Sequence, residues 1–221
     1  MNIAQKLFNR GVDLIRIFQS TGNLRSLFTA IPVNQQVVRL TPDGHPHKAI
    51  RVNNHAISLQ YRFECTGDVS DLDEAILIQQ QAVQLTPDGH LTMPMQLNNL
   101  GLSYQIRFGR TANPSDISEA ISNQTRAVQL TPDGHPDMPT WLNSLGNSFC
   151  SRFESTGNLS DLSEAISNQL QAVKLTPNGH PEMPGRLNDL GGSLHSRFEH
   201  TGNHSDLSEA ISKKLGLRLQ T

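Results

Sequence analysis

The feature that most constrains this chain is a heptapeptide written four times at one spacing. It reads LTPDGHP from Leu40, LTPDGHL from Leu85, LTPDGHP from Leu130 and LTPNGHP from Leu175. The starts (40, 85, 130, 175) lie 45 residues apart, with no insertion or deletion between copies. A fixed period of this size marks stacked units, each of which buries its apolar face only against its neighbours. The 221 residues are therefore read as a single array over 1–221, with units at approximately 3–45, 46–90, 91–135, 136–180 and 181–221.

The residues between the heptapeptides read as paired helices. After Pro136-Asp137-Met138-Pro139, Leu142, Leu145, Phe149 and Phe153 fall 3, 4 and 4 apart, one stripe on a helix. Proline is tolerated in a first helical turn, and Gly157 suits the left-handed C-cap. A second helix is expected from Asp161, with Asp161 and Glu164 as a capping box; the same D-x-x-E stands at Asp71/Glu74, Asp116/Glu119 and Asp206/Glu209. Leu162, Ala165, Ile166, Leu170, Ala172, Val173 and Leu175 carry it to Pro177, where Pro-Asn-Gly is turn chemistry. The pattern predicts helix pairs near 3–18 and 26–40, 49–63 and 71–85, 94–108 and 116–130, 139–153 and 161–175, and 184–198 and 206–215. A loop of about seven to eight residues is expected inside each pair. No strand pattern occurs.

Composition removes several classes of function. Lys and Arg total 18 against 20 Asp and Glu, a net charge of −2, and both signs are scattered. No footprint for nucleic acid or anionic lipid results. Cys65 and Cys150 stand at non-equivalent places in the repeat, which suits a reducing compartment better than a disulfide framework. Lys6, Arg10, Asp13 and Arg16 interrupt the N-terminal segment before a signal peptide or membrane span could form. Sequons at Asn123, Asn158 and Asn203 read as chance matches without a secretory signal. The expectation is a soluble, cytoplasmic protein.

The unit resembles a tetratricopeptide repeat (TPR), whose pattern is W-x2-L-G-x2-Y, then A-x3-F, then Pro. Leu97, Leu100, Gly101, Tyr104, Ala120, Ala127 and Pro132 match it. So do Leu142, Leu145, Gly146, Phe149, Ala165, Ala172 and Pro177, and then Leu187, Leu190, Gly191, Leu194 and Ala210. Leucine replaces the family tryptophan, and Gln79, Gln124 and Gln169 stand at its second-helix aromatic. The long unit, with its L-N-N-L, is similar to repeats of kinesin light chain. It also resembles arrays in large fungal proteins, some of which carry a caspase-like (CHAT) domain. The resemblance implies an all-α, right-handed solenoid of five helix pairs, with the extra length in longer loops and turns.

The resemblance places Asn53, Asn98, Asn143 and Asn188, one per unit, on the groove side of the first helix. An amide both donates and accepts, so such a row could hold an extended partner by its backbone, or simply bond the adjacent helix. Neighbouring positions vary (Asn54, Asn99, Ser144, Asp189; Gln60, Gln105, Cys150, His195) and would set selectivity. His45, His90, His135 and His180 invite a metal, but equivalent residues of stacked helices stand roughly 8–10 Å or more apart. Turn packing is the expectation. Arg62, Arg107, Arg152 and Arg197 are placed to pair with the D-x-x-E carboxylates as scaffold chemistry, worth about 0–1 kcal/mol if exposed. No nucleophile–base pair, phosphate loop or HExxH is present. No cofactor or metal is expected.

The ends differ from the middle. Ile17 replaces the recurrent Arg, and KKLGLRLQT with Leu217 closes the chain without a capping helix, which suggests a piece of a longer array able to self-associate. The function expected is a non-catalytic scaffold for a protein or peptide partner, with no nucleic acid or membrane. The alternatives are the regulatory array of a caspase-like protease and a structural or self-assembling spacer.

Overall fold

The computed structural model describes residues 2–87, 89–206 and 208. It is helical throughout, with no strand among the described residues. The helices are α1 (Ile3–Thr21), α2 (Leu24–Arg39), α3 (Lys48–Thr66), α4 (Val69–Leu85), α5 (Met93–Thr111), α6 (Pro114–Leu130), α7 (Met138–Thr156), α8 (Leu159–Leu175) and α9 (Met183–Thr201). The second helix expected over 206–215, with Glu209, Ala210 and Leu217, lies almost wholly outside the described residues.

Two expectations are corrected by the helix ends. First helices run three residues further than the apolar stripe suggested, and the loop inside each pair shrinks to two residues, such as Gly67-Asp68. Gly67 sits at φ 73° and gives its N–H to Phe63 O, and the side chain of Asp68 at once caps α4 by accepting the N–H of Ser70. Thr66 braces the corner: its hydroxyl donates to Arg62 O and accepts the N–H of Asp68. A corner of this kind needs no extra chain, so the long period goes into long helices. The first helices have 19 residues, and the second helices α4, α6 and α8 have 17 against 16 in α2.

The N-cap is correspondingly Asp68, Asn113 or Asn158, not the Asp three residues later. Asp161 instead accepts two hydrogen bonds from Arg152, Nε to Oδ2 at 2.9 Å and Nη2 to Oδ1 at 2.5 Å, with its side chain only 5% exposed. Arg62 holds Asp71 in the same way, and Arg197 holds Asp206. The expected pairs form, and they are bidentate on a buried carboxylate and not exposed ion pairs. The sequons are structural too: Asn158 is an N-cap, Asn203 accepts the N–H of Ser205, and Asn123 is buried.

The chain forms two compact units, 1–110 and 111–221. In the first, α1 packs on α2, α2 on α3 and α3 on α4, and Gln80 and Asp73 of α4 bond Tyr104 and Arg107 of α5. Ile31, Ala56, Leu59 and Ala75 form one core cluster there. In the second, α6 to α9 pack in chain order, and Phe153, Leu162, Ile166, Leu190 and Leu194 fill the core. Ala30, Ala75, Ala120 and Ala165 are wholly buried, letting the helices of a pair approach. At Gly146 a Cβ would lie 2.7 Å from Gln169 Cγ and 3.1 Å from Ala165 O. Only glycine or a shifted helix fits that contact.

The first helix α1 differs from its successors. Arg10 and Asp13 are exposed at positions where α3 buries His55 and Ser58.

Candidate functional site

The repeated heptapeptide is a turn, and its chemistry is used up internally. Thr131 donates its hydroxyl to Ala127 O at 2.6 Å, closing α6, and Thr41, Thr86 and Thr176 do the same one period apart. Gly134 takes φ 77°, and His135 N–H returns to Pro132 O. The ring of His135 then accepts the N–H of Asp137 on Nδ1 at 3.2 Å. His45, His90 and His180 repeat that bond. Each histidine is engaged within its own turn, and no group of three or more metal-ligating side chains occurs among the described residues.

Burial divides the asparagine ladder. Asn53 and Asn98 are 1% and 2% exposed, so burial removes them from the reach of an outside chain. Asn143 is half-buried and donates Nδ2 to Asp189 of the next first helix at 2.8 Å; Asn188 is exposed. Gln60 donates to Ser103 Oγ at 2.5 Å, and Gln105 is half-buried. Asn143 thus reaches the next first helix, and in the first unit it is the residue after the ladder, Asn54, that lines a groove.

In the first unit that groove is a cleft of about 310 Å³ between α1 and α3. Val12, Ile15, Ile57 and Tyr61 give it apolar walls, and Arg16, Gln19 and Asn54 stand with them. Asn34 of α2 also lines it, donating to Ser58 Oγ and Asn54 O. The sequence carried a signal for it: Asn54, Ile57 and Tyr61 are spaced 3 and 4 on one helix face. That stripe is masked by the stronger buried one beside it. Asn34 belongs to a series with Gln79, Gln124 and Gln169, one period apart and all at most 4% exposed. These polar side chains stand where the resemblance puts a second-helix aromatic; Asn34 donates to the hydroxyl of Ser58, Gln79 accepts that of Ser103 on Oε1 at 2.5 Å, and Gln169 donates to Asn147 Oδ1 at 2.8 Å.

Cys65 is exposed. Cys150 lies against Ser193 Oγ at 3.0 Å, and burial, with the charges of Glu154 and Asp189, pushes its thiol above the usual range. A thiol held protonated is a poor nucleophile. No helix of the described residues is long and apolar enough to cross a membrane.

Comparison with protein-family models and with curated proteins gives no match. Solved structures do match. A Podosopora anserina protein named for kinesin light chain, with nearly identical TPR-like repeats, has a TM-score of 0.68 at 15% identity over 97% of each chain. MamA matches at 0.56 and 15% identity, covering 98% of this chain and 96% of that one. BtubC (BKLC) from P. vanneervenii matches at 0.53 and 10%, covering 99% and 93%. At such identities the likeness is one of fold. Together with the 45-residue hairpins and their buried Leu, Ala and Gly positions, it makes the chain, by fold, an array of the tetratricopeptide type.

Proposed function

We propose that the chain is a non-catalytic scaffold that binds a protein or peptide partner along the inner faces of its first helices. What supports the reading is a contrast within the array. Positions that pack repeat closely: the buried alanines, the Arg–Asp pairs and the turn histidines recur at one spacing. Positions on the inner face do not: Asn54 is followed at its spacing by Asn99, Ser144 and Asp189, and Ile57 by Leu102, Asn147 and Gly192. A scaffold that keeps its spacing while varying its lining is suited to reading a partner segment residue by residue. The apolar α1/α3 cleft would take a hydrophobic side chain of that segment. Of the ladder amides, Asn143 and Asn188 border the groove with Gln105, while Asn53 and Asn98 serve the packing.

A displayed random-peptide library tests this, selected on the wild-type chain and on Ile57→Asp with its fold checked by circular dichroism. Wild type should enrich segments carrying an apolar anchor, and Ile57→Asp should lose them. Enrichment of the same set by both proteins, or of none by wild type, would defeat the reading.

A further inference from the structure

The first helices bury an arginine at two places, and only one of the two has a counter-charge. Arg51 of α3 and Arg186 of α9 stand three periods apart and are 3% and 5% exposed. Each gives Nη1 to the turn threonine before its own helix, Thr41 or Thr176. Arg186 then uses Nη2 twice, on Thr140 at 2.9 Å and on the carboxylate of Glu182. Glu182 lies one turn back and reaches Arg186 from the surface, its side chain 56% exposed. Arg51 meets Gln5 in place of Thr140, at 2.8 Å, and His47 stands in place of Glu182. The ring of His47 is exposed and lies beside that of His45, centroids 5.6 Å apart.

No carboxylate of the first unit balances this cation among the described residues. Residues 1–66 hold eight Lys and Arg against three Asp and Glu. Asp13 pairs with Arg16 and Asp43 with Lys48, while Glu64 lies about 20 Å further along α3. The carboxylates of α4 gather at that far end too, where Arg62 holds Asp71. Phe8 covers one face of the Arg51 guanidinium at 5.6 Å and adds no charge. Hydrogen bonds leave a guanidinium through its edge, and only two of its five N–H groups are used here. A buried charge left uncompensated is costly, and a carboxylate on that edge offsets the cost.

We infer that the edge of Arg51, flanked by Gln5 and His47, is a subsite for an acidic side chain, aspartate or glutamate, of the bound partner segment, in the place Glu182 fills on Arg186. The inference rests on the scaffold reading and adds the chemistry of one position in it. Gln5 and His47 precede Val12 and Asn54 of the α1/α3 cleft by seven residues each, about 10.5 Å along the helix axis. An extended segment spans that distance in about three residues, which sets the spacing between its acidic residue and its apolar anchor.

The test uses the full chain, labelled for NMR, titrated with acetyl-glutamate methylamide and separately with the neutral isostere acetyl-glutamine methylamide. The glutamate probe should shift the side-chain N–H signals of Arg51 and Gln5, and the glutamine probe should not. His47→Glu puts a carboxylate on the chain as Glu182 does; it should melt at a higher temperature than wild type and lose the response to glutamate. Equal shifts with both probes, no shift with glutamate, a response that survives in His47→Glu, or a His47→Glu variant that melts no higher would each overturn the subsite. Peptide selection that still depends on Ile57 would then show that the scaffold reading stands without it.

Discussion

His55 offers the sharpest test of how this array is held together. It occupies the position at which later first helices carry Leu100, Leu145 and Leu190, and like them it is buried, at 4% exposure. Its Nδ1 has no partner among the described residues. Burial first, then the charges of Arg62 and Arg39, lowers its pKa from 6.5 to about 4. The neutral ring is the form that fits. Above pH 6.5 the folded and unfolded chains hold the same proton count at this residue. Below it the unfolded chain binds a proton that the fold refuses, so stability falls until the pH passes about 4. The gap between the two values, at about 1.4 kcal/mol per pH unit, is about 3 kcal/mol. His55→Leu removes that term and, at pH 7, adds about 1–3 kcal/mol by replacing an unpaired buried nitrogen with apolar surface. The advantage should grow by about 3 kcal/mol between pH 7 and pH 4.

Carboxylates also contribute acid sensitivity. Asp206, held below its usual range by Arg197, loses its contribution as the pH falls. The difference between wild type and His55→Leu therefore isolates the histidine. Urea unfolding over this pH range measures it, with hydrogen exchange of α3 amides as the local reading, because an array need not unfold as one unit. Parallel pH profiles for the two proteins, or an NMR titration of His55 near 6.5, would refute the reasoning.

The Arg–Asp pairs should be worth far more than surface ion pairs: Arg152→Met leaves Asp161 buried without a partner and should cost about 2–3 kcal/mol, discounted from a fully buried pair because the guanidinium is a third exposed. Denaturant melts of Arg152→Met, Asp161→Leu and the double variant read the coupling, and a single-variant loss under about 0.5 kcal/mol would return the pair to the surface class. Ala112 has φ 53°, where Gly22, Gly67, Gly157 and Gly202 stand at the other corners; Ala112→Gly should stabilise by about 0.5–1 kcal/mol, a left-handed alanine costing about 1–2 kcal/mol against the entropy of added glycine. A lower melting temperature for it would contradict that geometry. Thr131→Val, which leaves Ala127 O without its hydroxyl partner, should cost about 1 kcal/mol in the same melts, and a neutral result would mean the turn does not depend on that bond.

The sequence by itself determined the array. A 45-residue period with apolar residues at helical spacing leaves no way to stay dry except helix on helix, and the turn, the small-residue contacts and the glycine corner followed from it. The role of the heptapeptide histidines as turn residues was legible for the same reason, since local bonds depend on local sequence. What only the tertiary structure decided is which polar side chain faces what. Asp161 reads as an N-cap until the helix is seen to start at Leu159, and Asn53 reads as a groove residue until it is seen to be buried. Asn53 and Asn54 differ by one position, about 100° around the helix axis. A period says how often a face returns, but the contact with the next helix sets which residue on that face meets solvent.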